Sequence, residues 1–256
     1  MVRIIRLADR LIEIESQHDQ VMDFLASFQV KDIAERKIDF SVLIAHSDIE
    51  YERKKQEKER SSVDHGEAVL SDLNLEMLAI HRKIAEQIPR FNTILFHASS
   101  IMVEGEVYLF TAPSGTGKST HTRLWREILG ARAVMVNDDK PMIHVPTAEG
   151  AKAIVYGTPW NGKHHLGSNI SAPLKAICVL ERAQENRISE ISWREVFPEL
   201  LQSVYRPMDR EQLIKTLEIV DHLKNKVRFY RLGCNMERES AWMSYHAMKG
   251  QGNETE

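Results

Sequence analysis

A glycine-rich loop between an apolar run and a helical run constrains this chain more than any other feature. The loop lies in the segment Tyr108–Trp125, YLFTAPSGTGKSTHTRLW. Residues Ala112–Ser119 nearly fit the pattern G-x-x-x-x-G-K followed by Ser or Thr, with Ala in place of the first Gly. The preceding run VYLFTA predicts a buried strand and the following run STHTRLWREIL predicts a helix. The segment therefore predicts an α/β fold in which a strand leads through a phosphate-binding loop into a helix.

Each residue type in this loop suits phosphate. Gly115 and Gly117 allow the backbone to fold around oxygen atoms without a Cβ in the way, and Ala112 is tolerated if its position needs no positive φ. Backbone N–H groups of the loop and the helix N-terminus would point at the phosphates. Lys118 is predicted to reach the β- and γ-phosphates, and Ser119 to bind Mg²⁺. The predicted ATP-binding residues are Pro113, Ser114, Gly115, Thr116, Gly117, Lys118, Ser119 and Thr120.

A pair of acids follows the next apolar run. Ala133–Val136 is apolar, and Asp138 and Asp139 come two and three residues after it. A phosphate-loop protein needs a carboxylate at the end of a neighbouring strand, close to Mg²⁺ and the γ-phosphate. Because adjacent strand residues point in opposite directions, the two carboxylates should have different tasks. One could serve the metal, directly or through water, and the other could accept a proton from an attacking hydroxyl. The alternative is an ordinary Asp-Asp turn before a proline.

The loop Tyr156–Asn169, YGTPWNGKHHLGSN, is a further candidate. Polar, glycine-rich loops at strand ends often carry function. Lys163 could neutralise charge on the γ-phosphate, Asn161 could orient an acceptor, and Trp160 could stack on a base or a peptide side chain. The alternative is a structural turn in which Trp160 packs on the core. The adjacent pair His164-His165 does not favour zinc, because adjacent residues seldom converge on one metal.

Two residues near the C-terminus have open interpretations. Arg206 follows a predicted helix end. A buried Arg206 aimed at the γ-phosphate would neutralise transition-state charge, whereas a surface Arg206 would bond the last carbonyls of its helix. Cys234 follows a predicted strand, and we interpret it as a small buried residue rather than a nucleophile, since no His–Cys pairing can be argued from the sequence.

Composition and charge exclude several classes of protein. The 256 residues are 43% hydrophobic and 28% charged, which is typical of a globular chain. A net charge of −3 does not favour binding to nucleic acid or to an anionic membrane. No apolar run is long enough to span a bilayer, and the N-terminal run is broken by charges, unlike a signal peptide. We expect a cytoplasmic protein with its two cysteines, Cys178 and Cys234, reduced.

Residues 1–90 predict a small N-terminal α/β region without chemistry of its own. VRIIRLADRLIEIES favours one or two strands, HDQVMDFLASF a short helix and DFSVLIAHSD a strand. The charged run from Asp48 to Glu67 predicts a solvated helix or a mobile loop. SDLNLEMLAIHRKIAEQIPRF predicts a helix capped by Ser71 or Asp72 and ended by Pro89. Its apolar face is expected to contain Leu73, Met77, Ile80, Ile84 and Ile88.

Residues 91–256 predict a larger ATP-binding domain, although a single interwoven domain is an alternative. TILFHASSIMVEG and EVYLFTA are expected to pair across Glu104–Glu106. RAVMVND, MIHV, KAIVYG and LKAICVLER are further strand candidates. The last quarter predicts three helices, at about 193–205, at DREQLIKTLEIVDHLKN and at MERESAWMSYHAMKG, with the strand VRFYRLG before the last.

The motifs together have a family resemblance. FHASSIMVEGEVYLFTAPSGTGKST and VMVNDDKP resemble the HPr kinase/phosphorylase family and the related ATP-dependent phosphoenolpyruvate carboxykinases. In both, a strand carrying His runs into the phosphate-loop strand, and an Asp-Asp strand end follows; the matching residues are His97, the loop 112–119 and Asp138-Asp139. The resemblance implies a P-loop core of this type that uses ATP and Mg²⁺. It implies a metal-associated role for His97 on the carboxykinase side, and Asp139 as the base that deprotonates an acceptor serine on the kinase side.

The chain as a whole most resembles small HPr-kinase-like proteins found beside ribosomal peptide pathways, through TAPSGTGKSTH, NDDKP and YGTPWNGKHH. These include kinases that phosphorylate a serine of a precursor peptide. The catalytic residues that we predict are Lys118, Asp139, His97, Lys163 and Arg206, and the metal ligands are Ser119 and Asp138. An oligomer is compatible with the sequence.

Three functions remain as hypotheses. The first is a kinase that phosphorylates a hydroxyl, with a serine of a peptide or protein as the acceptor. The second is a small-molecule kinase or a carboxykinase-like enzyme that uses the same site. The third is a nucleotide-binding regulatory module in which the charged segment 48–60 and the N-terminal region carry a partner. The first two hypotheses require that Lys118, Asp138 and Asp139 gather around one site.

Overall fold

The computed structural model describes residues 2–30, 37–61 and 70–250. The chain divides into two compact units, Met1–Gln87 and Ile88–Glu256. The first contains a three-stranded sheet and the second a nine-stranded sheet, each accompanied by helices. The mixed α/β class predicted from the sequence is therefore confirmed. Within the described residues, no helix is both long and apolar enough to cross a membrane.

The described part of the first unit begins with a hairpin. Its elements in chain order are β1 (Val2–Leu7), β2 (Arg10–Glu15), α1 (Gln20–Phe24), β3 (Phe40–Leu43), α2 (His46–Ser61) and α3 (Asp72–Gln87). β1 and β2 are antiparallel and β3 is parallel to β2. Ala8 and Asp9 join the first two strands with φ angles of 48° and 59°, the two left-handed residues that a tight hairpin turn needs. The predicted "one or two strands" are thus two.

The charged run after β3 is largely helical. α2 covers its first part, and residues 62–67 of the run lie outside the described residues. The predicted strand DFSVLIAHSD ends early, at Leu43, because the chain turns into α2, where the carboxylate of Asp48 accepts a hydrogen bond from Ala45 N at 2.9 Å. Arg82 of α3 contacts Glu52 of α2 at 2.5 Å. This ion pair joins α2 to α3.

The predicted buried face of α3 is partly wrong. Leu73 and Met77 are only half-buried, whereas Leu75 and Glu76 are fully buried. The carboxylate of Glu76 accepts hydrogen bonds from the backbone N–H groups of Gln17, at 2.5 Å, and His18, at 3.0 Å. It also contacts the His18 ring at 2.5 Å. These hydrogen bonds turn a charged residue inward, which a pattern of apolar residues cannot anticipate. The predicted cap is confirmed, since Ser71 Oγ accepts from Asn74 N at 3.3 Å.

The second unit alternates strands and helices. Its elements are β4 (Thr93–Leu95), β5 (Ser99–Val103), β6 (Glu106–Thr111), α4 (Lys118–Leu129), β7 (Ala133–Asn137), β8 (Met142–His144), β9 (Ile154–Tyr156), β10 (Ser171–Arg182), β11 (Arg187–Ile191), α5 (Trp193–Ser203), α6 (Arg210–His222), β12 (Arg228–Cys234) and α7 (Arg238–Lys249). The strand and helix candidates of the sequence correspond to these elements, with one strand missed. β11 is polar and mostly exposed, so it lacks the apolar signal of a strand.

The order of the strands brings several strand ends together. The path of the sheet is β4-β8-β9-β10-β6-β5-β7, and β12 pairs with β10 and β11. β6, β10 and β12 are parallel. β5 is antiparallel to both β6 and β7, so β6 and β7 run in the same direction. The carboxyl ends of β6 and β7 therefore lie at one edge of the sheet, where open α/β sheets usually bind ligands.

The predicted strand TILFHASSIMVEG is interrupted. Its first part is β4, which pairs with β8, and its second part is β5, which pairs with β6. His97 lies in the break between them. The predicted hairpin between β5 and β6 is confirmed, and Glu104 and Gly105 form its turn with φ angles of 54° and 79°.

β6 is buried on both faces. Val107 and Leu109 point into a core that also contains Leu200 of α5 and Ile219 of α6. Tyr108 and Phe110 point into a second core formed with residues of α4 and α7. A strand that is covered on both sides reads as a continuous apolar run, which explains why VYLF predicts it without alternation.

We expect Glu76→Ala to destabilise the first unit by about 1–3 kcal/mol, because it removes the buried carboxylate that accepts hydrogen bonds from the backbone N–H groups of Gln17 and His18. The amides of Gln17 and His18 should exchange hydrogen faster. Chemical denaturation and hydrogen exchange of the full chain measure these effects. Glu57→Ala, at an exposed position on α2, is the matched control and should change the stability by no more than about 0.5 kcal/mol. Unchanged exchange at Gln17 would contradict the anchoring role of Glu76.

Candidate functional site

The segment Ala112–Gly117 connects β6 to α4 as a tight loop. Gly115 has a φ of 76° and Gly117 a φ of 126°, both in the region that favours glycine. A Cβ at either position would meet no atom within 4 Å, so the need for glycine is conformational and not steric. The φ angle of Ala112 is not positive, so an alanine at the first position of the pattern adds no backbone strain.

Lys118 begins α4 with its side chain folded along the loop. It is 8% exposed, and its Nζ donates to the carbonyl oxygens of Ala112, at 2.8 Å, and Pro113, at 3.5 Å. Burial lowers the pKa of Lys118, and the nearby charge of Asp139 opposes that shift. Ser114 and Ser119 are exposed beside it, so the loop combines one sheltered ammonium with accessible hydroxyls.

The first turns of α4 are fixed by buried polar contacts. Thr122 Oγ1 lies 3.0 Å from Ser99 Oγ of β5. His121 Nε2 lies 2.9 Å from Ser244 Oγ of α7, and Trp125 Nε1 donates to the same oxygen at 2.8 Å. Burial lowers the pKa of His121 to about 3, so this ring is neutral. His121 therefore has a structural role, and these contacts hold the helix N-terminus against the sheet.

His97 is held by the ends of β6 and α5. Its backbone N–H donates to Ser203 O at 2.7 Å, and its carbonyl accepts from Thr111 Oγ1 at 3.1 Å. The hydroxyls of Thr111 and Ser203 are themselves 2.6 Å apart. The break between β4 and β5 is thus a fixed segment that presents the imidazole of His97 at the edge where β6 ends.

The imidazole of His97 contacts the second acid of the pair. His97 Nε2 lies 3.2 Å from Asp139 Oδ1, and Lys140 Nζ lies 3.8 Å from Asp139 Oδ2. Burial alone would raise the pKa of Asp139, but the hydrogen bond from His97 and the charges of Lys140, His97 and Lys118 outweigh it and lower the pKa. Asp139 is therefore ionised at neutral pH and lies within the electrostatic influence of Lys118.

The first acid of the pair has a different environment. Asp138 is 4% exposed, and its Oδ1 accepts a hydrogen bond from Gly162 N at 2.7 Å. Its Oδ2 is buried and has no hydrogen-bond partner among the described residues. Such an atom calls for a water or an ion. The two acids thus have separate partners, although both lie beyond the end of β7 at Asn137, and their separate tasks stay a prediction.

The orphaned oxygen of Asp138 fits a hard cation. Carboxylate and hydroxyl oxygens are ligands that Mg²⁺ accepts, and Mg²⁺ is commonly held by one or two carboxylates together with substrate phosphates. The described residues contain no group of three or more His, Cys, Asp or Glu side chains that could hold a metal by themselves. Asp138, with its unpartnered oxygen, and the exposed Ser119 stay the predicted metal ligands.

Asn137 organises the acid pair, a role that was not predicted from the sequence. Asn137 is fully buried, and its Oδ1 accepts from the N–H groups of Asp139, at 2.8 Å, and Lys140, at 2.6 Å. Its Nδ2 lies 3.1 Å from Thr158 Oγ1 and 3.2 Å from Trp160 O. An Asn directly after a strand and before two acids is the signal that was available, because Asn often bonds the backbone two residues on.

The loop after β9 is mainly structural. Trp160 is 7% exposed, which supports the interpretation that it packs on the core. Asn161 Oδ1 lies 3.1 Å from Asn137 Nδ2, and its own Nδ2 donates to Pro159 O at 3.2 Å. Its amide therefore supports the loop. Lys163 is exposed and directly follows Gly162, whose N–H binds Asp138.

Arg206 and the cysteines lie apart from these contacts. Arg206 is exposed, three residues beyond the end of α5, and forms no hydrogen bond with the described residues. The interpretation of Arg206 as a buried side chain is therefore wrong. Cys178 and Cys234 are free thiols, as expected, and burial raises the pKa of both. Neither is an activated nucleophile.

Comparisons with known proteins add little to this geometry. No protein-family model and no curated protein sequence matches the chain. Among solved structures, the chain is similar to the Hpr(Ser) kinase/phosphatase from Coxiella burnetii, at 17% identity, with 51% of this chain and 97% of the other covered. The TM-score of this match is 0.26, which does not establish a shared fold.

The lowered pKa of Asp139 predicts a pH-dependent contribution to stability. A carboxyl whose folded pKa is below its unfolded value of about 3.9 stabilises the fold above that pH, and the contribution is lost as the pH falls through the folded pKa. We expect Asp139→Asn to have a lower Tm than wild type at about pH 6. The difference between the two Tm values should decrease towards about pH 3. Asp221→Asn, at a half-exposed carboxylate in the last turn of α6, is the control for general charge effects, and its Tm should stay close to that of wild type. A Tm difference that increases as the pH falls would contradict a lowered pKa of Asp139 in the folded state.

Proposed function

We propose that this chain is an ATP- and Mg²⁺-dependent kinase that transfers the γ-phosphoryl group to a hydroxyl, and that the acceptor is a serine of a peptide or protein. The observation that carries the proposal is the meeting of Lys118 and the acid pair at one edge of the sheet. β6 and β7 are parallel, so the loop after β6 and Asp138-Asp139 after β7 share that edge. The charges of Lys118 and Asp139 act on each other there.

The phosphate loop would hold the nucleotide. Gly115 and Gly117 give the backbone a shape in which N–H groups can face phosphate oxygens, and the N-terminus of α4 adds its partial positive charge. The Lys118 ammonium would exchange its loop carbonyl partners for phosphate oxygens. Asp138 Oδ2 and the exposed Ser119 hydroxyl would bind Mg²⁺. Bound Mg²⁺–ATP would supply the transferable phosphoryl group.

Asp139 is the group that we assign to receive the proton of the acceptor hydroxyl. Its lowered pKa keeps it in the basic form at neutral pH. A carboxylate of low pKa is a weak base, but phosphoryl transfer needs little more than positioning and charge neutralisation. We assign His97 to orient Asp139 through the 3.2 Å contact, with Lys140 on the other carboxylate oxygen.

Lys163 and Arg206 are candidates for contacts with the transferred group or with the acceptor. Both are exposed, Lys163 beside the Asp138–Gly162 contact and Arg206 beyond the α5 end that holds His97. Exposed cations are available to pair with an incoming substrate, and a peptide or protein acceptor would bring polar groups of its own.

Lys118→Ala tests the proposal directly. We expect transfer to fall by about a hundredfold or more, because a preorganised positive donor is lost where transition-state charge develops. Mass spectrometry of serine-containing peptides after incubation with ATP and Mg²⁺ measures it, with circular dichroism as the check on folding. Lys224→Ala, at an exposed lysine after α6, is the matched control and should retain activity.

Two results would overturn the kinase assignment. The first is full transfer by a folded Lys118→Ala protein, which would remove the loop from the reaction. The second is tight ATP binding without transfer to any peptide, protein or small hydroxyl compound, which would favour the nucleotide-binding regulatory module. Transfer to free serine or another small hydroxyl compound, with no peptide phosphorylation, would favour the small-molecule alternative.

The Asp138→Asn variant distinguishes the proposed role of Asp138 from that of Asp139. If Asp138 binds the metal, this variant should need a higher Mg²⁺ concentration for half-maximal transfer, because a carboxylate ligand is lost. Asp139→Asn should lower the maximal rate and leave the Mg²⁺ requirement close to that of wild type. Titration of the transfer rate with Mg²⁺ measures both effects. An identical Mg²⁺ requirement in Asp138→Asn and wild type would count against the metal assignment.

A further inference from the structure

A cavity of about 600 Å³ opens at the amino ends of β6 and β12. Glu106, the first residue of β6, and Arg228, the first residue of β12, line it together with residues of β10 and α7. β6 has six residues, so its two ends are roughly 17 Å apart. The cavity is therefore separate from the phosphate loop, which follows the other end of β6.

The wall of this cavity is rich in cations. We call it the basic cavity and define it by four of its side chains, Lys152, Lys175, Lys226 and Arg228. Glu106 is the single carboxylate among the described residues of the wall. A chain with a net charge of −3 thus concentrates positive charge at one concave place. Clefts lined by one sign of charge attract ligands of the opposite sign.

Much of this charge is not neutralised within the protein. Lys152 Nζ and Lys175 Nζ share the carboxylate of Glu106, at 3.2 and 2.9 Å. Lys226 Nζ donates to a neutral backbone carbonyl at 2.7 Å. Arg228 is exposed, and its guanidinium forms no hydrogen bond or ion pair with the described residues. The basic cavity therefore holds more positive charge than its own acid can balance.

Two further lysines of the wall are paired with acids outside it. Lys224 Nζ lies 2.6 Å from Asp221 Oδ2, and Lys249 Nζ lies 3.2 Å from Glu104 Oε2. Because each has a carboxylate of its own, neither has a part in the inference.

We propose that the basic cavity binds an acidic segment of a partner peptide or protein, in which carboxylates alternate with apolar residues. The inference goes beyond the proposed kinase function and does not depend on it, since the cavity and the phosphate loop lie at opposite ends of β6.

The exposure of the cations favours a ligand with several charges. Each of the four is at least partly exposed, and an exposed ion pair adds little affinity by itself. An anion with one or two charges would be held weakly, whereas a segment with several carboxylates pairs with several cations at once. Three of the four cations are lysines, which act as point charges, and not the arginine forks that match phosphate in a bidentate way.

The remaining wall favours a peptide over nucleic acid. Leu174, Val227 and Met248 also line the cavity and offer apolar surface to a side chain. None of the described residues in the wall is aromatic. Single-stranded nucleic acid is commonly held by the stacking of its bases on aromatic side chains. A segment that carries both carboxylates and apolar side chains matches both parts of the wall.

Binding of a labelled peptide to the full chain tests the inference. The probe is a short fluorescent peptide of glutamates with interspersed leucines, and the reference peptide has glutamine in place of each glutamate. Fluorescence anisotropy should show binding of the acidic peptide alone. Raising the NaCl concentration from about 50 to about 500 mM should weaken it by about tenfold or more, because salt screens exposed charges.

Arg228→Glu reverses a charge without breaking a side-chain contact within the described residues. It should weaken the acidic peptide by about threefold or more and leave ATP binding unchanged. Arg187→Glu is the matched control, because Arg187 is also exposed and also begins a strand, β11, but pairs with Gly233 near the other end of β12. Its affinity for the peptide should equal that of wild type. Lys226→Glu, with the same expected loss, replaces Arg228→Glu if that variant does not fold.

Four results would overturn the proposal. The first is no binding of the acidic peptide at concentrations up to about 1 mM. The second is an equal loss of affinity in Arg187→Glu and Arg228→Glu. The third is tighter binding of a single-stranded DNA oligonucleotide of equal charge, which would assign the cavity to nucleic acid. The fourth is binding only by a chain shortened after Gly250, which would make residues 251–256, with Glu254 and Glu256, the occupant. None of these results bears on transfer from ATP, which Lys118→Ala tests separately.

Discussion

The antiparallel pairing of β5 with both β6 and β7 is the constraint on which the site depends. It makes β6 and β7 parallel although they are not adjacent, and so brings the phosphate loop and the acid pair to one edge. A one-residue slip of β6 would exchange Val107 and Leu109 of one core with Tyr108 and Phe110 of the other, so the different packing of the two cores fixes the register. The two cores thereby set the position of Lys118 relative to Asp139 without any direct bond between them.

The buried side chain of Asn137 fixes the turn that follows β7. Asn137 satisfies the N–H groups of the turn that carries Asp139 and, through Nδ2, joins the loop containing Trp160. Among the described residues, Asp138 Oδ2 in the same turn is one of a few buried side-chain atoms without a hydrogen-bond partner. Burial of such an oxygen is unfavourable unless a cation or a water binds it.

The loop and the acid pair could be predicted because their signals are local. A doubly buried strand reads as an apolar run, and glycine is required at Gly115 and Gly117 by backbone conformation. The predictions from the sequence were wrong where contacts between distant segments determine the burial of a residue or the formation of a strand. Glu76 is buried because backbone donors from the turn after β2 need it, and β11 is a strand because β12 offers it an edge. Neither effect is encoded in the periodicity of its own segment.

The contact between His97 and Asp139 bears on the two roles that the family resemblance implies. A nitrogen that donates its hydrogen to a carboxylate has no lone pair for a metal, so His97 Nε2 cannot do both at once. With Nε2 engaged, Nδ1 would be the remaining ligand atom. The orphaned oxygen that suits a cation belongs to Asp138, and the acid held by His97 is Asp139. The geometry therefore favours His97 as the partner of Asp139, which agrees better with the proposed role of Asp139 as the base than with a metal bound at His97 Nε2.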